Sequence, residues 1–502
     1  MIEAPHNIAG NVLYIIEKIP SQTNLDKTLK KGYIATVIMR ANTNNKKIKK
    51  ILFVFGIFMC LTFCSTFSAS ALTVEDEKKL GKEFYEKLER KGVFLNDRII
   101  NDYFNAIGQS MLSQGKPSPF SFTFTVIKNP GINAFATPGG YVYVYSGLIR
   151  ISENEAQLAG VLAHEIAHVK CRHIAKILER SKKVGIATMA AILAGAFIGG
   201  GDETTAAVTT FSIAAAASMN LKYTREHEEE ADRMGMSYLV KAGYDGKGML
   251  DFLKIMRQYE YYSNSIPSYF LTHPGTGERI AYLDGLLQTT YKKRGKEDIT
   301  EKYERIKTSL ILGETNPESK LKYFENRLKD KPDDIEGLYG CAVVYGDMGR
   351  TEDSFRNFKK ALLLAPDDAD ILRDMGIQYF NLGSTGDAID ALQRAYCIDE
   401  DDEGTIFFLG RAYDAAGNYR SALELYEKFR KGNPDNTDIY YNLAMIEGKI
   451  NNQGESHYNF GIYFKKRGKP KSALFHFKEA LKYIAPESTR GSEIQKEIDS
   501  MK

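Results

Sequence analysis

Cysteine is scarce in this sequence: five residues in 502, at no spacing that suits a metal knuckle or a disulfide framework. Cys60 and Cys64 lie in an N-terminal apolar run, which leaves Cys171, Cys341 and Cys397 as small core residues. Tryptophan is absent, and the composition is otherwise that of a globular protein, with 43% hydrophobic and 26% charged residues. An excess of one charge is also missing. A formal net charge of +3 removes any argument for nucleic acid or an anionic surface as partner. The N-terminal run "ILFVFGIFMCLTFC" (51–64) has only 14 residues. At ~1.5 Å per residue it falls short of a ~30 Å bilayer core.

That short run fits an export signal better than a spanning helix. The basic "NNKKIKK" (44–50) precedes it, and "SASA" (68–71) follows with an A-x-A cleavage pattern ahead of Leu72. Residues 1–71 are therefore expected to be a leader, with the signal at about 44–71 and the mature protein exported. Met39 makes a conventional start, so residues 1–38 read as an extension. Phe63, where a small residue would be needed, argues against lipidation at Cys64. Two further stretches, 184–201 and 204–221, carry no charge but are dominated by Ala, Gly, Ser and Thr. They predict a helical hairpin packed on the protein or in peripheral contact with a membrane, the alternative being true spans.

The length predicts two or three domains. Residues 73–98 have helical spacing, with Leu80, Phe84 and Leu88 apolar. "FSFTFTVIKNPGINAFATPGGYVYVYSGLI" (120–149) alternates and is broken by Asn-Pro-Gly and Pro-Gly-Gly, which predicts three strands. From 152 the period becomes helical, and Ser152 with Glu155 reads as a capping box. Residues 288–315 read as a charged connector. Beyond it a 34-residue period emerges. Gly376, Tyr379, Ala388, Leu392 and Ala395 recur as Gly410, Tyr413, Ala422, Tyr426 and Phe429, a pattern that resembles tetratricopeptide repeats. A further copy at Gly461, Phe464, Ala473, Phe477 and Ala480 lies one and a half repeats on, which predicts an extra helix at 437–450. Phe324 and Leu328 read as a half repeat that caps the start. The expected division is 72–300 and 301–490, and the stacked repeats would offer a concave surface to a partner.

The chemistry concentrates in "VLAHEIAHVKCRH" (161–173). His164 and His168 are four apart on a helix, so their rings converge and can share one zinc. Glu165 is placed to take a proton from water held there. This is the H-E-x-x-H pattern, backed by apolar Val161, Leu162, Ile166 and Ala167. A catalytic zinc wants a third protein ligand. "TREHEEEAD" (224–232) offers Glu226, Glu228, Glu229 and Glu230; Glu228 and Asp232 share a face, so Glu228 can bind metal while Asp232 orients a ligand histidine. The other three glutamates read as a solvated face. His173 lies about 140° around the helix from His168 and reads as structural. His227 reads as exposed, and His6, His457 and His476 as partnerless.

"HEIAH", then Arg225, Glu228, Ala231 and Asp232 as R-x-x-E-x-x-A-D, with "NAFATPGGYVYVYSGLI" (133–149) and "THPGTGERI" (272–280), resembles the gluzincin family of the CAAX prenyl endopeptidase and HtpX. The signal and the repeats are most similar to its periplasmic BepA-type branch. The resemblance implies an α+β, zincin-like, mainly helical metalloprotease domain with a small β-sheet, followed by an all-α tetratricopeptide-repeat solenoid. It implies one zinc per chain on His164, His168 and Glu228, with Glu165 as base. It also implies that "NAFATPGG" (133–140) borders the cleft, where a substrate can add as a strand. His273 matches a loop histidine that can cap the zinc and keep the enzyme latent; its rivals are a transition-state donor and a plain helix-start residue. The expected function is an exported zinc endopeptidase acting on envelope proteins, misfolded or stalled outer-membrane proteins among them, with the repeats docking substrate or an outer-membrane assembly machine. The alternatives are an assembly adaptor with a largely latent site, and an integral-membrane protease.

Overall fold

The computed structural model describes residues 72–179, 186–198, 223–262, 268–300 and 302–501. The signal segment, His6 and most of the two uncharged stretches 184–201 and 204–221 lie outside them. The described residues within 74–178 and 186–501 form one compact unit.

Its first helices are α1 (Val74–Arg90) and α2 (Arg98–Leu112). Leu80, Phe84 and Leu88 form the buried stripe of α1, as their spacing predicts. Asp97 caps α2 by accepting from the Ile100 N–H at 3.0 Å. Three strands follow, β1 (Thr123–Ile127), β2 (Ala134–Thr137) and β3 (Tyr141–Tyr145). The order is β1-β3-β2: β1 runs parallel to β3 with Thr123 opposite Tyr141, and β2 pairs antiparallel with Ala134 opposite Val144. The hairpin needs its glycine pair. Gly140 has φ +100°, and a Cβ there would meet the Ser121 carbonyl at 2.3 Å.

Next come α3 (Ser146–Ile151), α4 (Glu155–Lys170), α5 (His173–Glu179) and α6 (Ile186–Ile198). Every residue of α4 from Glu155 to Val169 is buried, so it is the central helix of the core. The expected capping box at its start does not form. Asn154 is the cap, accepting from the Gln157 N–H at 3.0 Å, while the Ser152 hydroxyl donates to Leu148. Glu155 is instead a buried node. It accepts from Tyr103 and Tyr244 at 2.8 and 2.7 Å and from the N–H groups of Ile299 and Thr300 at 3.1 and 3.2 Å. Four fixed donors outcompete one backbone amide of its own helix. No helix among the described residues is long and apolar enough to cross a membrane.

The chain continues through α7 (Arg225–Lys241), α8 (Lys247–Tyr262), α9 (Ser268–Thr272) and α10 (Thr276–Thr289). Helix α7 lies directly on α4: a Cβ on Gly235 would stand 3.0 Å from the backbone of Ala163 and His164. Where the sequence reads as a charged connector, α11 (Tyr303–Leu312) forms and is largely buried. Tyr303 and Lys307 donate to the Ser152 carbonyl at 2.7 and 2.6 Å, and Arg305 pairs with Glu336 and Asp368 at 2.9 and 2.6 Å. Its charges are turned to fixed partners on both sides.

The repeat array comprises α12 (Pro317–Asp330), α13 (Ile335–Asp347), α14 (Thr351–Leu364), α15 (Ala369–Asn381), α16 (Thr385–Ile398), α17 (Glu403–Ala415), α18 (Tyr419–Gly432), α19 (Thr437–Lys449), α20 (Gln453–Lys466), α21 (Pro470–Ala480) and α22 (Thr489–Asp499). The small residues of the period face the large ones: Gly376 meets Leu392, Gly410 meets Tyr426 and Gly461 meets Phe477. Helix α19 fills the half-repeat step, and Phe324 of α12 is buried as the starting cap. Cys171 and Cys341 are buried, but Cys397 is exposed. It lies on the face of α16 opposite Ala388, Ala391, Leu392 and Ala395, which take the buried side.

Candidate metal centre

Helices α4 and α7 bring the predicted residues together. His164 and His168 project from α4, and Glu228 and Asp232 from α7. His273 follows α9, 109 residues from His164 in sequence. All five are essentially inaccessible to solvent. The donor atoms of His164, His168, Glu228 and His273 lie within 4.8 Å of one another. His164 Nε2 is 2.9 Å from His168 Nε2, 3.3 Å from His273 Nδ1 and 3.5 Å from Glu228 Oε2. Glu228 Oε1 is 3.4 Å from His168 Nε2 and 3.2 Å from His273 Nδ1.

This donor set fits a zinc ion. Ligands at ~2.0–2.1 Å on a tetrahedron stand about 3.3 Å apart, close to the separations found. The hydrogen bonding points the same way. Asp232 Oδ1 accepts from His164 Nδ1 at 2.9 Å, so Nε2 is the nitrogen that faces the cluster and would offer its lone pair once a bound cation displaces the proton there. Burial and the Arg279 charge work against a proton on His164, yet the hydrogen bonds to Asp232 and Glu228 hold its pKa at about 9. The centre attracts a cation. His168 moves the other way, its pKa driven well down by burial and then by His164.

Two carboxylates are held charged. Burial opposes the charge of Glu228, but Arg279 and His273 outweigh it and keep its pKa well below the usual range. Burial likewise opposes Asp232, and Arg279 again wins. Arg279 makes this possible by donating to Asp232 through Nε at 2.8 Å and Nη2 at 2.7 Å and pairing with Glu228 through Nη1 at 2.7 Å. Glu165 differs. Burial raises its pKa, and neither carboxylate oxygen is hydrogen-bonded among the described residues; His273 Nε2 is 3.5 Å from Oε1.

Three residues escape a reading of the sequence alone. Arg279 lies inside the "THPGTGERI" segment, but nothing local marks it as the counter-ion of Asp232. Tyr223 stacks on His168 with ring centres 3.8 Å apart, and Tyr269 on His273 at 4.4 Å. Conversely, three expectations change. His227 is half-buried: it completes the cap of α7 with Thr224 and stacks on His173. Glu230 is not simply solvated, because it pairs with His173 at 3.0 Å. His173 itself reaches His168, its Nδ1 lying 2.9 Å from His168 Nδ1. The helical-wheel separation of 140° does not apply. Helix α4 ends at Lys170, and Arg172 takes φ +56°, which folds His173 back beneath His168.

Residues 100–287 match the model of Peptidase family M48. Residues 342–404 and 379–446 match tetratricopeptide repeat models. The chain is similar to the beta-barrel assembly-enhancing protease of Escherichia coli K12, 33% identical over 217 residues, which is 43% of this chain and 45% of that protein. It is also similar to the mitochondrial metalloendopeptidase OMA1 of Schizosaccharomyces pombe, 24% identical over 233 residues, 45% of this chain and 66% of that protein. A crystal structure of MamA is 26% identical, covering 32% of this chain and 85% of that one at a TM-score of 0.24. The chain spans about half the length of the beta-barrel assembly-enhancing proteases it matches. A region that matches the M48 peptidase model thus precedes a C-terminal repeat array, and M48 metallopeptidases are zinc-dependent.

Proposed function

We propose that this protein is a zinc metalloendopeptidase of the bacterial envelope with a latent resting state. His164, His168 and Glu228 hold the metal, Asp232 orients His164, and Glu165 is the base. The observation that carries this is the buried donor cluster beside a carboxylate left without hydrogen bonds. A bound zinc supplies Lewis acidity, which polarises the scissile carbonyl and acidifies water. Glu165 takes the proton at its unbonded oxygens and hands it to the leaving amine; its raised pKa suits both transfers. Arg279 keeps Glu228 and Asp232 ionised as ligand and orienter. Strand β2 is an edge of the sheet beside α4, which supports strand addition by an extended substrate.

His273 Nδ1 lies 3.3 Å from His164 Nε2 and 3.2 Å from Glu228 Oε1, where it would supply a fourth ligand to a bound zinc, so cleavage would require it to swing away. A second reading, an assembly adaptor whose protease is mostly shut, draws its support from the same contact. The similarity to beta-barrel assembly-enhancing proteases points to outer-membrane proteins as substrates, to periplasmic export, and to repeats that dock substrate or assembly machinery. The test is zinc content beside cleavage of casein or an unfolded outer-membrane protein, using wild type, Glu165→Gln and His273→Ala. Glu165→Gln should keep one zinc and lose about 10²–10⁴ in rate. His273→Ala should cleave faster than wild type. A loss there would make His273 a catalytic donor instead, and no zinc in any variant would sink the protease reading.

A further inference from the structure

We infer that His173 and Glu230 are positioning residues: they form a hydrogen-bond relay that sets the tautomer of His168 and thereby how tightly the centre holds its metal. This rests on the metal-centre reading above. Three contacts carry it: His168 Nε2 faces the cluster, His168 Nδ1 meets His173 Nδ1 at 2.9 Å, and His173 Nε2 meets Glu230 Oε2 at 3.0 Å.

Counting hydrogens along this chain leaves one arrangement. An ionised carboxylate only accepts, so His173 Nε2 must carry the hydrogen it shares with Glu230. A neutral imidazole has one N–H, so His173 Nδ1 is a bare acceptor. His168 Nδ1 must then donate to it, and Nε2 of His168 is left as a lone pair aimed at the donor cluster. A half-exposed carboxylate thus decides the chemistry of a ligand it never touches. The geometry is held on both rings: Tyr223 stacks on His168, and His227 lies on His173 with centres 4.4 Å apart. The arrangement mirrors Asp232 on His164, with one imidazole inserted between carboxylate and ligand. Such outer partners tune metal affinity by about 10–100-fold.

The test inverts the relay from outside the core. In Glu230→Lys an ammonium donates to His173 Nε2, which sends the hydrogens the other way and puts one on His168 Nε2. Zinc affinity, measured by chelator competition on the full chain, should fall by about 10–100-fold. Glu229→Lys makes the same charge change one residue away, where the ion-pair partner is the exposed Arg233, and should leave affinity at the wild-type value. His173→Asn offers an amide oxygen to His168 Nδ1 and should bind zinc more tightly than His173→Leu. Equal weakening by the two lysine substitutions would overturn the relay in favour of through-space charge. So would a second equivalent of zinc or cadmium lost on Cys171→Ser, because the donor atoms of Cys171, His173 and Glu230 also lie within 4.8 Å of one another and would then be a metal site. Wild-type protein that binds no zinc would overturn the metal centre itself, a result distinguishable from either.

Discussion

Two pairs of histidines in this protein stand at the same distance in different surroundings. His164 and His168 have ring nitrogens 2.9 Å apart, and so do His457 and His476 in the repeat array. Around the first pair are Glu228, Asp232, Glu165 and Arg279, all buried. Around the second are rings: Phe464 stacks on His476 and Tyr483 on His457. In the first pair a carboxylate holds the hydrogen on the far nitrogen of His164, so Nε2 is the nitrogen that faces inward, with further donors beside it. In the second, one imidazole simply donates to the other, and no third donor joins them among the described residues. Proximity of histidines does not make a metal site; donor number and outer carboxylates do.

The comparison can be broken at its strong end first. Glu228→Ala removes the proposed third ligand and should weaken zinc binding by more than the ~100-fold typical of an outer partner, whereas His457→Ala should leave zinc binding unchanged; chelator competition reads both. Packing comes next. A Cβ on Gly461 would meet the Phe477 ring at 2.5 Å, so Gly461→Ala should cost about 1–3 kcal/mol and lower the thermal midpoint without altering zinc content. The smallest effect is acid sensitivity. Burial, then the neighbouring His457, lowers the pKa of His476 below 6.5. A histidine held neutral by the fold stabilises it above the unfolded pKa, and that contribution is lost as pH falls below about 6.5 and the unfolded chain takes up the proton. Circular-dichroism melts at pH 7.5 and 5.5 should show a larger drop for wild type than for His476→Gln.

The same contrast governs what could be read in advance. The repeats were legible because each contact is local: Gly376 and Leu392, or Gly410 and Tyr426, meet within one helical hairpin, and the period repeats the message. Helix α4 and the H-E-x-x-H pair were legible for the same reason, since four residues of helix place two rings on one face. The local pattern points to Ser152 rather than Asn154 as the cap, whereas Glu155 is claimed by Tyr103, Tyr244 and the 299–300 backbone, partners that no local window contains. Residues 303–312 looked like a connector because a charged stretch reads as solvated until Ser152, Glu336 and Asp368 supply its partners.

The sequence by itself determined the periodic parts: the alternating strands, the repeat solenoid, and the helix that sets His164 and His168 side by side. Their geometry follows from backbone pitch, which every short segment carries with it. Only the tertiary structure decided which distant groups complete the centre. Arg279 reaches Asp232 across 47 residues, His273 reaches His164 across 109, and a left-handed turn at Arg172 brings His173 under His168. Such charges are tolerable in a dry interior only when all their partners arrive together, and that convergence is a property of the folded chain.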